Sequence, residues 1–154
     1  MIIGFLKEND EYETRSMLLP EHVSQFKKIG FDVLVENNYS EKLNIKDLLY
    51  SDSGAQVKSA NDISLNSDII VKISGKDLSS YNFKNGSIII TGFIDKNNEE
   101  LLKIKNAKKL EVFGLNYLPR ITRAQAMDVL SSQSNLAGYK AVIDTAYELS
   151  LIHI

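Results

Sequence analysis

SDIIVKISGKDLSSYNFKNGSIIITGF, residues 67–93, decides the fold of this chain. It contains two apolar runs rich in β-branched residues, Ile69–Ile73 and Ile88–Ile90, joined by a polar segment. Runs that are continuous, and not alternating, are typical of strands buried on both faces, as the strands of parallel sheets are. The stretch therefore predicts two strands of a parallel sheet that is covered on both sides.

Helix and strand patterns alternate on either side of this stretch. The predicted strands are Ile2–Leu6, Phe31–Val35, a weak strand at Ala55–Val57, and Leu110–Phe113; the predicted helices are Pro20–Lys28, Leu43–Tyr50, Asp62–Leu65 and Asn98–Lys105. Such alternation is typical of α/β proteins with right-handed connections. We therefore predict an α/β fold, a parallel sheet flanked by helices of the flavodoxin-like or Rossmann-like kind.

Composition excludes several classes of function. The 154 residues include no cysteine, which excludes disulfides and thiolate metal sites, and we expect no metal. The net charge of −2 gives no electrostatic reason to bind nucleic acid, so we expect no nucleic-acid partner. No apolar run approaches the length of a membrane span, and the amino terminus lacks a signal-peptide pattern, so we expect a cytoplasmic location.

The chain divides at about Pro119 into an α/β domain, residues 1–118, and a helical segment, residues 119–148. Thr122 and Gln125 fit a capping box, which predicts a helix of about 25 residues beginning at Thr122. Its second half carries an apolar stripe that needs a covering partner. The members of that stripe are Leu136, Tyr139, Ile143 and Tyr147.

The last six residues, LSLIHI at 149–154, break the helical pattern. They are also the translation of codons that begin a transposon-end adaptor used in sequencing libraries. We interpret them as an artefact of sequencing and expect the native chain to continue after Glu148. A short hydrophobic tail is the alternative.

Two segments resemble a known family. RITRAQAMDVLSSQSNLAGYKAV, residues 120–142, is similar to the segment after the first domain of the NAD-binding alpha subunit of proton-translocating NAD(P) transhydrogenase. GFLKENDEYETRSMLLPEHVSQFKKIGFDVLVE, residues 4–36, resembles the start of that subunit and of alanine dehydrogenase. The resemblance implies hydride transfer from NADH to NADP+ coupled to proton translocation.

The resemblance also implies a set of nucleotide-contacting residues. Arg120, Asp128 and Ser131 match positions beside the nicotinamide of NAD(H), and Gln125 matches a position that apposes the two nucleotides, near the ribose of NADP(H). A purely structural explanation is that Gln125 closes the capping box and that Arg120 and Asp128 form a local ion pair. The family match favours the functional explanation.

Cofactors and partners follow from the same resemblance. NAD(H) is the implied cofactor, held by a Rossmann-type domain to which the long helix leads, and NADP(H) is supplied by a membrane-embedded beta subunit. No pair of glycines here has the spacing of a phosphate-binding loop, so we expect residues 1–154 alone to be inactive and to bind NADH weakly. The complete alpha subunit is expected to be a homodimer, peripheral to the inner membrane.

Two alternatives remain beside the transhydrogenase. Arg15 and Lys72 match positions that bind substrate in alanine dehydrogenases, but the stretch TGFIDK, residues 91–96, lacks the active-site histidine of those enzymes. Without that general acid or base, we interpret Arg15 and Lys72 as vestigial substrate-site residues with structural roles. The other alternative is a non-catalytic α/β dimerisation module.

Overall fold

The computed structural model describes residues 1–149. Within the interpreted artefact only Leu149 is described, and the rest of LSLIHI lies outside the described residues. Contacts divide the chain into two compact units, Met1–Gly114 and a second unit from Leu115 onward. The break falls slightly before the predicted boundary at residue 118.

The first unit is a six-stranded, all-parallel sheet with helices between the strands, as the sequence predicts. Its elements are β1 (Ile2–Phe5), α1 (Pro20–Lys28), β2 (Asp32–Glu36), α2 (Asp47–Asp52), β3 (Gln56–Lys58), α3 (Ala60–Asn66), β4 (Ile69–Ser74), β5 (Ile88–Phe93), α4 (Glu99–Lys108) and β6 (Glu111–Gly114). The strand order is β3-β2-β1-β4-β5-β6. This is the Rossmann-type order, with β1 and β4 at the centre.

Both faces of the sheet are covered, and the alternation of side chains along each strand explains why. In β2, Val33 and Val35 enter one hydrophobic cluster while Leu34 enters the other. The first cluster includes Val23 of α1, and the second includes Ile63 of α3. Continuous apolar runs are therefore required in the central strands, because each strand must supply apolar side chains to two cores.

Gly4 is the point of closest approach between β1 and the segment at the end of α3. A Cβ at this position would lie 2.3 Å from Ser67 Oγ and 2.4 Å from Ile63 Cγ2. Ile63 and Ser67 are both fully buried and cannot move away. Only glycine fits in the central strand here.

The second unit contains a 3-10 helix at Thr122–Met127 and a long helix, α5 (Val129–Glu148). The predicted capping box at Thr122 is wrong. The 3-10 helix begins after Ile121 with no side-chain cap, and Asp128, in an extended conformation at φ −77° and ψ 91°, separates it from α5. Asp128 caps α5 instead, because its carboxylate accepts hydrogen bonds from the first free N–H groups.

The apolar stripe predicted on the long helix is exposed in the described residues. Tyr139 is 70% exposed, and Leu136, Ile143 and Tyr147 are exposed as well. No helix within residues 1–149 has both the length and the hydropathy needed to cross a bilayer.

Candidate functional site

The segment before α5 folds into a series of tight turns. Ile121 N donates to Pro119 O at 2.8 Å, Ala124 N to Ile121 O at 2.9 Å, and Asp128 N to Gln125 O at 3.2 Å. Ala124 is buried at the centre of these turns, whereas the polar side chains around it are exposed or half-buried. The backbone thus projects several polar side chains from a short length of chain.

These turns and the start of α5 form a pocket of about 330 Å³. Its lining consists of Pro119, Arg120, Ile121, Thr122, Ala124, Gln125, Asp128 and Ser131. All four residues that the resemblance assigns to nucleotide contact therefore lie around one cavity. The turn at Pro119 and the 3-10 helix bring this about, because the turn contains Arg120 and the 3-10 helix contains Gln125.

Asp128 and Ser131 are joined by hydrogen bonds within the pocket wall. Asp128 Oδ1 accepts from the N–H groups of Leu130 and Ser131 at 3.0 and 3.1 Å, and Oδ2 accepts from Ser131 Oγ at 2.6 Å. The hydrogen bond from the Ser131 hydroxyl group is the largest cause of the lowered pKa of Asp128. The positive charge of the nearby Arg120 guanidinium lowers this pKa by a smaller amount. Asp128 is thus ionised at neutral pH, with its orientation set by α5.

Asp128 has a structural role as the N-cap of α5, but the two structural explanations considered for Gln125 and Arg120 are not realised. The capping box that would occupy Gln125 does not form, since the 3-10 helix has no side-chain cap. The salt bridges found among residues 1–149 do not include an Arg120–Asp128 pair, although Arg120 is close enough to lower the pKa of Asp128. Arg120 and Gln125 are both exposed at the pocket and available to a ligand.

Lys72 belongs to a second polar cluster, in the first unit. Its side chain is fully buried, and Nζ donates to Lys7 O at 2.6 Å and lies 3.3 Å from Glu8 Oε2 and 3.5 Å from Asp77 Oδ2. Asn9 Nδ2 donates in turn to Asp77 Oδ2 at 2.6 Å. The ammonium group is therefore held by groups from this chain.

Arg15 is engaged in the same way. Its guanidinium contacts Glu13 through Nε–Oε1 at 2.8 Å and Nη2–Oε2 at 2.6 Å, and this pair raises the pKa of Arg15 and lowers that of Glu13. Arg15 and Glu8 line a small pocket of about 100 Å³, of which Lys72 is not a lining residue. Arg15 and Lys72, which the resemblance matches to substrate-binding positions, are thus both paired with carboxylates of the chain.

Sequence reasoning missed Glu8 and Asp77 as partners of Lys72. A lysine within an apolar strand requires a buried counter-charge, and Glu8 follows the neighbouring strand β1, so a signal was present for Glu8. Asp77 had no comparable signal, because the 3-10 turn at Leu78–Ser80 was not predicted.

Within residues 1–149, no group of three or more His, Cys, Asp or Glu side chains is placed to hold a metal ion. The chemistry available at the pocket before α5 is hydrogen bonding and charge complementarity.

Comparison with known proteins gives consistent matches. NAD(P) transhydrogenase subunit alpha of Haemophilus influenzae is 38% identical over 149 residues, which cover 96% of this chain and 29% of that protein. The crystal structure of transhydrogenase from Sinorhizobium meliloti is 40% identical, with a TM-score of 0.82 over 96% of this chain and 45% of that one. A solved L-alanine dehydrogenase, at 24% identity and a TM-score of 0.63 over 75% of this chain and 32% of that one, shares the fold.

The chain spans less than half the length of these relatives. Residues 4–137 match the family described as alanine dehydrogenase/PNT, N-terminal domain. That match covers both the parallel sheet and the pocket before α5. The chain therefore belongs to the alanine dehydrogenase/PNT N-terminal domain family, and it is similar to the N-terminal part of transhydrogenase alpha subunits.

Proposed function

We propose that this chain is the N-terminal part of the NAD(H)-binding alpha subunit of a proton-translocating transhydrogenase, which transfers hydride from NADH to NADP+. One observation supports the proposal most: Arg120, Gln125, Asp128 and Ser131 line a single pocket. In this role Arg120, Asp128 and Ser131 hold the carboxamide side of the nicotinamide. Gln125 holds the two nucleotides in apposition, near the ribose of NADP(H).

The chemistry of the pocket suits this ligand. A carboxamide offers one acceptor and two donors, which complement the Arg120 guanidinium and the Asp128 carboxylate. The nicotinamide rings themselves supply the hydride chemistry, and the protein is required to position them and to exclude water. A carboxylate fixed by the first turn of α5 is preorganised for such positioning.

The remaining parts of the proposed enzyme lie outside this chain. The dinucleotide phosphates need a glycine-rich cradle, which the spacing of the eight glycines here does not provide. We assign it to a Rossmann-type domain of the whole subunit. That subunit is a cytoplasmic homodimer, bound peripherally to the membrane through an NADP(H)-binding beta subunit.

Substitution of Gln125 by Asn in the complete complex tests the proposal. The shorter amide keeps its hydrogen-bonding groups but withdraws them by one methylene, so hydride transfer should slow by about tenfold. Affinity for NADH, measured by its fluorescence, should change little. Gln25→Asn, an exposed position on α1, is the matched control and should leave both quantities unaltered.

Unchanged turnover of the Gln125→Asn complex would contradict the role given to Gln125. Alanine-dependent reduction of NAD+ by the complete protein would instead favour alanine dehydrogenase. Titration of NADH with residues 1–154 alone should give no micromolar binding, because the phosphate cradle is absent from this chain.

A further inference from the structure

Asn85 and Gly86, just before β5, are the only Asn-Gly pair in the sequence. Asparagine is among the chemically labile residues of proteins. A glycine after it increases the lability, because no side chain shields the next backbone nitrogen, and that nitrogen can attack the asparagine side chain. This pair is therefore the place where the covalent structure of the chain is most easily altered without an enzyme.

The reaction at this pair is deamidation, and it needs no co-reactant other than water. Gly86 N loses its proton and bonds to Asn85 Cγ, while the Cγ–Nδ2 bond breaks and ammonia leaves with a proton. Water then opens the cyclic imide at either of its carbonyl carbons, which leaves aspartate or isoaspartate at position 85. In isoaspartate the main chain passes through Cβ and Cγ and is longer by one methylene group.

The pair lies at the centre of a tight turn. Ser87 N donates to Lys84 O at 3.3 Å, which closes the turn around Asn85 and Gly86. Gly86 has a φ of +73°, as the second central residue of a type II turn does. The Asn85 side chain is exposed, so solvent reaches the amide that would react.

The attacking nitrogen, in contrast, is engaged by the fold. Gly86 N donates to Lys108 O, at the end of α4, at 2.9 Å. The turn is also attached to the end of α3, because Lys84 N donates to Ser64 O at 3.0 Å. A nitrogen whose N–H is bound in this way retains its proton and cannot act as a nucleophile until the bond breaks.

We infer that Asn85 is a deamidation site which the fold protects, and that it reacts only when the hydrogen bond from Gly86 N to Lys108 O opens. The rate of modification therefore follows local opening at the end of α4, and not the exposure of the side chain. The change is also one-way. The extra methylene group of isoaspartate displaces Gly86 N, so the original turn cannot form again.

Peptide mass mapping of the chain, incubated at mildly alkaline pH with and without urea, tests this inference. In urea, the peptide that contains position 85 should be the first to change from amide to carboxylic acid. In the folded chain the same change should be slower by about tenfold or more. Equal rates in the two conditions, or earlier modification of another asparagine in urea, would overturn the inference.

Hydrogen exchange of the Gly86 amide, measured by NMR, supplies a quantitative check. Exchange and deamidation both require base to remove the same proton, so both are slowed by the same closed state. Folding should therefore slow deamidation at Asn85 by at least the factor by which it slows exchange at Gly86. A smaller slowing of deamidation would mean that the reaction proceeds without opening, which contradicts the inference.

A pair of variants at Lys109 assigns the protection to Lys108 O. Lys109 ends α4 with a φ of +52°. Proline cannot adopt this φ and restricts the residue before it, so Lys109→Pro should displace Lys108 O and speed modification of folded Asn85 by about tenfold. Lys109→Gly, which accepts a positive φ, is the matched control and should not speed it.

Equal rates of modification at Asn85 in folded Lys109→Pro and folded Lys109→Gly would overturn the inference. If Lys109→Pro does not fold, the comparison of deamidation with exchange in the native chain decides the question.

Discussion

Lys72 shows at the residue scale what a buried charge requires of its surroundings. The side chain has no contact with solvent, and its ammonium group is satisfied by one carbonyl and two carboxylates. Removing one partner of a buried pair leaves an uncompensated charge, which costs more than the pair itself contributes. Lys72 is therefore needed for stability, whether or not it ever contacts a ligand.

Lys72→Met should destabilise the chain by about 3 to 5 kcal/mol, because the nearly buried Glu8 carboxylate loses its counter-charge. Lys140→Met, which breaks the exposed pair with Asp144, should cost about 0.5 kcal/mol or less. Urea unfolding of both variants measures the difference. If Lys72→Met and Lys140→Met lose equal free energy of unfolding, burial does not increase the contribution of the Lys72 pair to stability.

Ser131→Ala should raise the pKa of Asp128 towards its ordinary value, since the Ser131 hydroxyl bond is the largest cause of the lowering. A carboxyl group whose pKa is lowered by folding contributes stability above the unfolded pKa and loses it as the pH falls through the folded pKa. As the pH falls, Ser131→Ala should therefore begin to lose the stability contributed by ionised Asp128 at a higher pH than the native chain does.

NMR titration of the Asp128 carboxyl group measures this shift. Ser132→Ala is the control, because the Ser132 hydroxyl bonds to Val129 O and not to Asp128. An unchanged Asp128 midpoint in Ser131→Ala would contradict the assignment.

The candidate residues could be named from the sequence only through a resemblance. Nothing in the spacing of Arg120, Gln125, Asp128 and Ser131 indicates a common cavity, because the turn at Pro119 and the 3-10 helix that gather them have no strong sequence signature. Of the carboxylate partners of Lys72, Glu8 is distant in sequence and is brought close by the pairing of β1 with β4. Asp77 is close in sequence but is positioned by a 3-10 turn that was not predicted.

At the scale of the element, sequence prediction succeeded where burial decides the structure. The β-branched runs of β4 and β5 become central strands, and Pro20 at the first position of α1 marks the start of that helix. Prediction failed at the start of α5, because the helix begins after Asp128 and not at Thr122. Asp128 is the N-cap because its carboxylate accepts hydrogen bonds from two backbone N–H groups and from the Ser131 hydroxyl group.

Gly4→Ala and Gly138→Ala should have opposite effects on stability. The Gly4 substitution forces a methyl group against the buried Ile63 and Ser67, and overpacking of this kind costs about 1 to 3 kcal/mol. The Gly138 substitution meets nothing within 4 Å and should stabilise α5 by about 0.5 to 1 kcal/mol. Urea unfolding and helical circular dichroism measure the two effects. A tolerated Gly4→Ala would mean that β1 and α3 are less closely packed than described.

For the whole molecule, the location of the two cores implies that the first unit is self-sufficient. Their buried members all lie between Ile3 and Leu110, and the partly buried residues packed on them lie between Ile2 and Val112. Residues 1–114 should therefore unfold cooperatively on their own, within about 1 kcal/mol of the longer chain. Calorimetry of both chains tests this, and loss of the cooperative transition on truncation would contradict it.

The central position of β1 has a consequence for biosynthesis. β1 pairs with β2 on one side and with β4 on the other, so one side of β1 has no neighbour until Ile69–Ser74 have left the ribosome. At about 5 to 20 residues per second, translation leaves the nascent chain in this state for several seconds. During that interval the Glu8 carboxylate also lacks its ammonium partner, and the growing polypeptide must remain soluble with its innermost strand half paired.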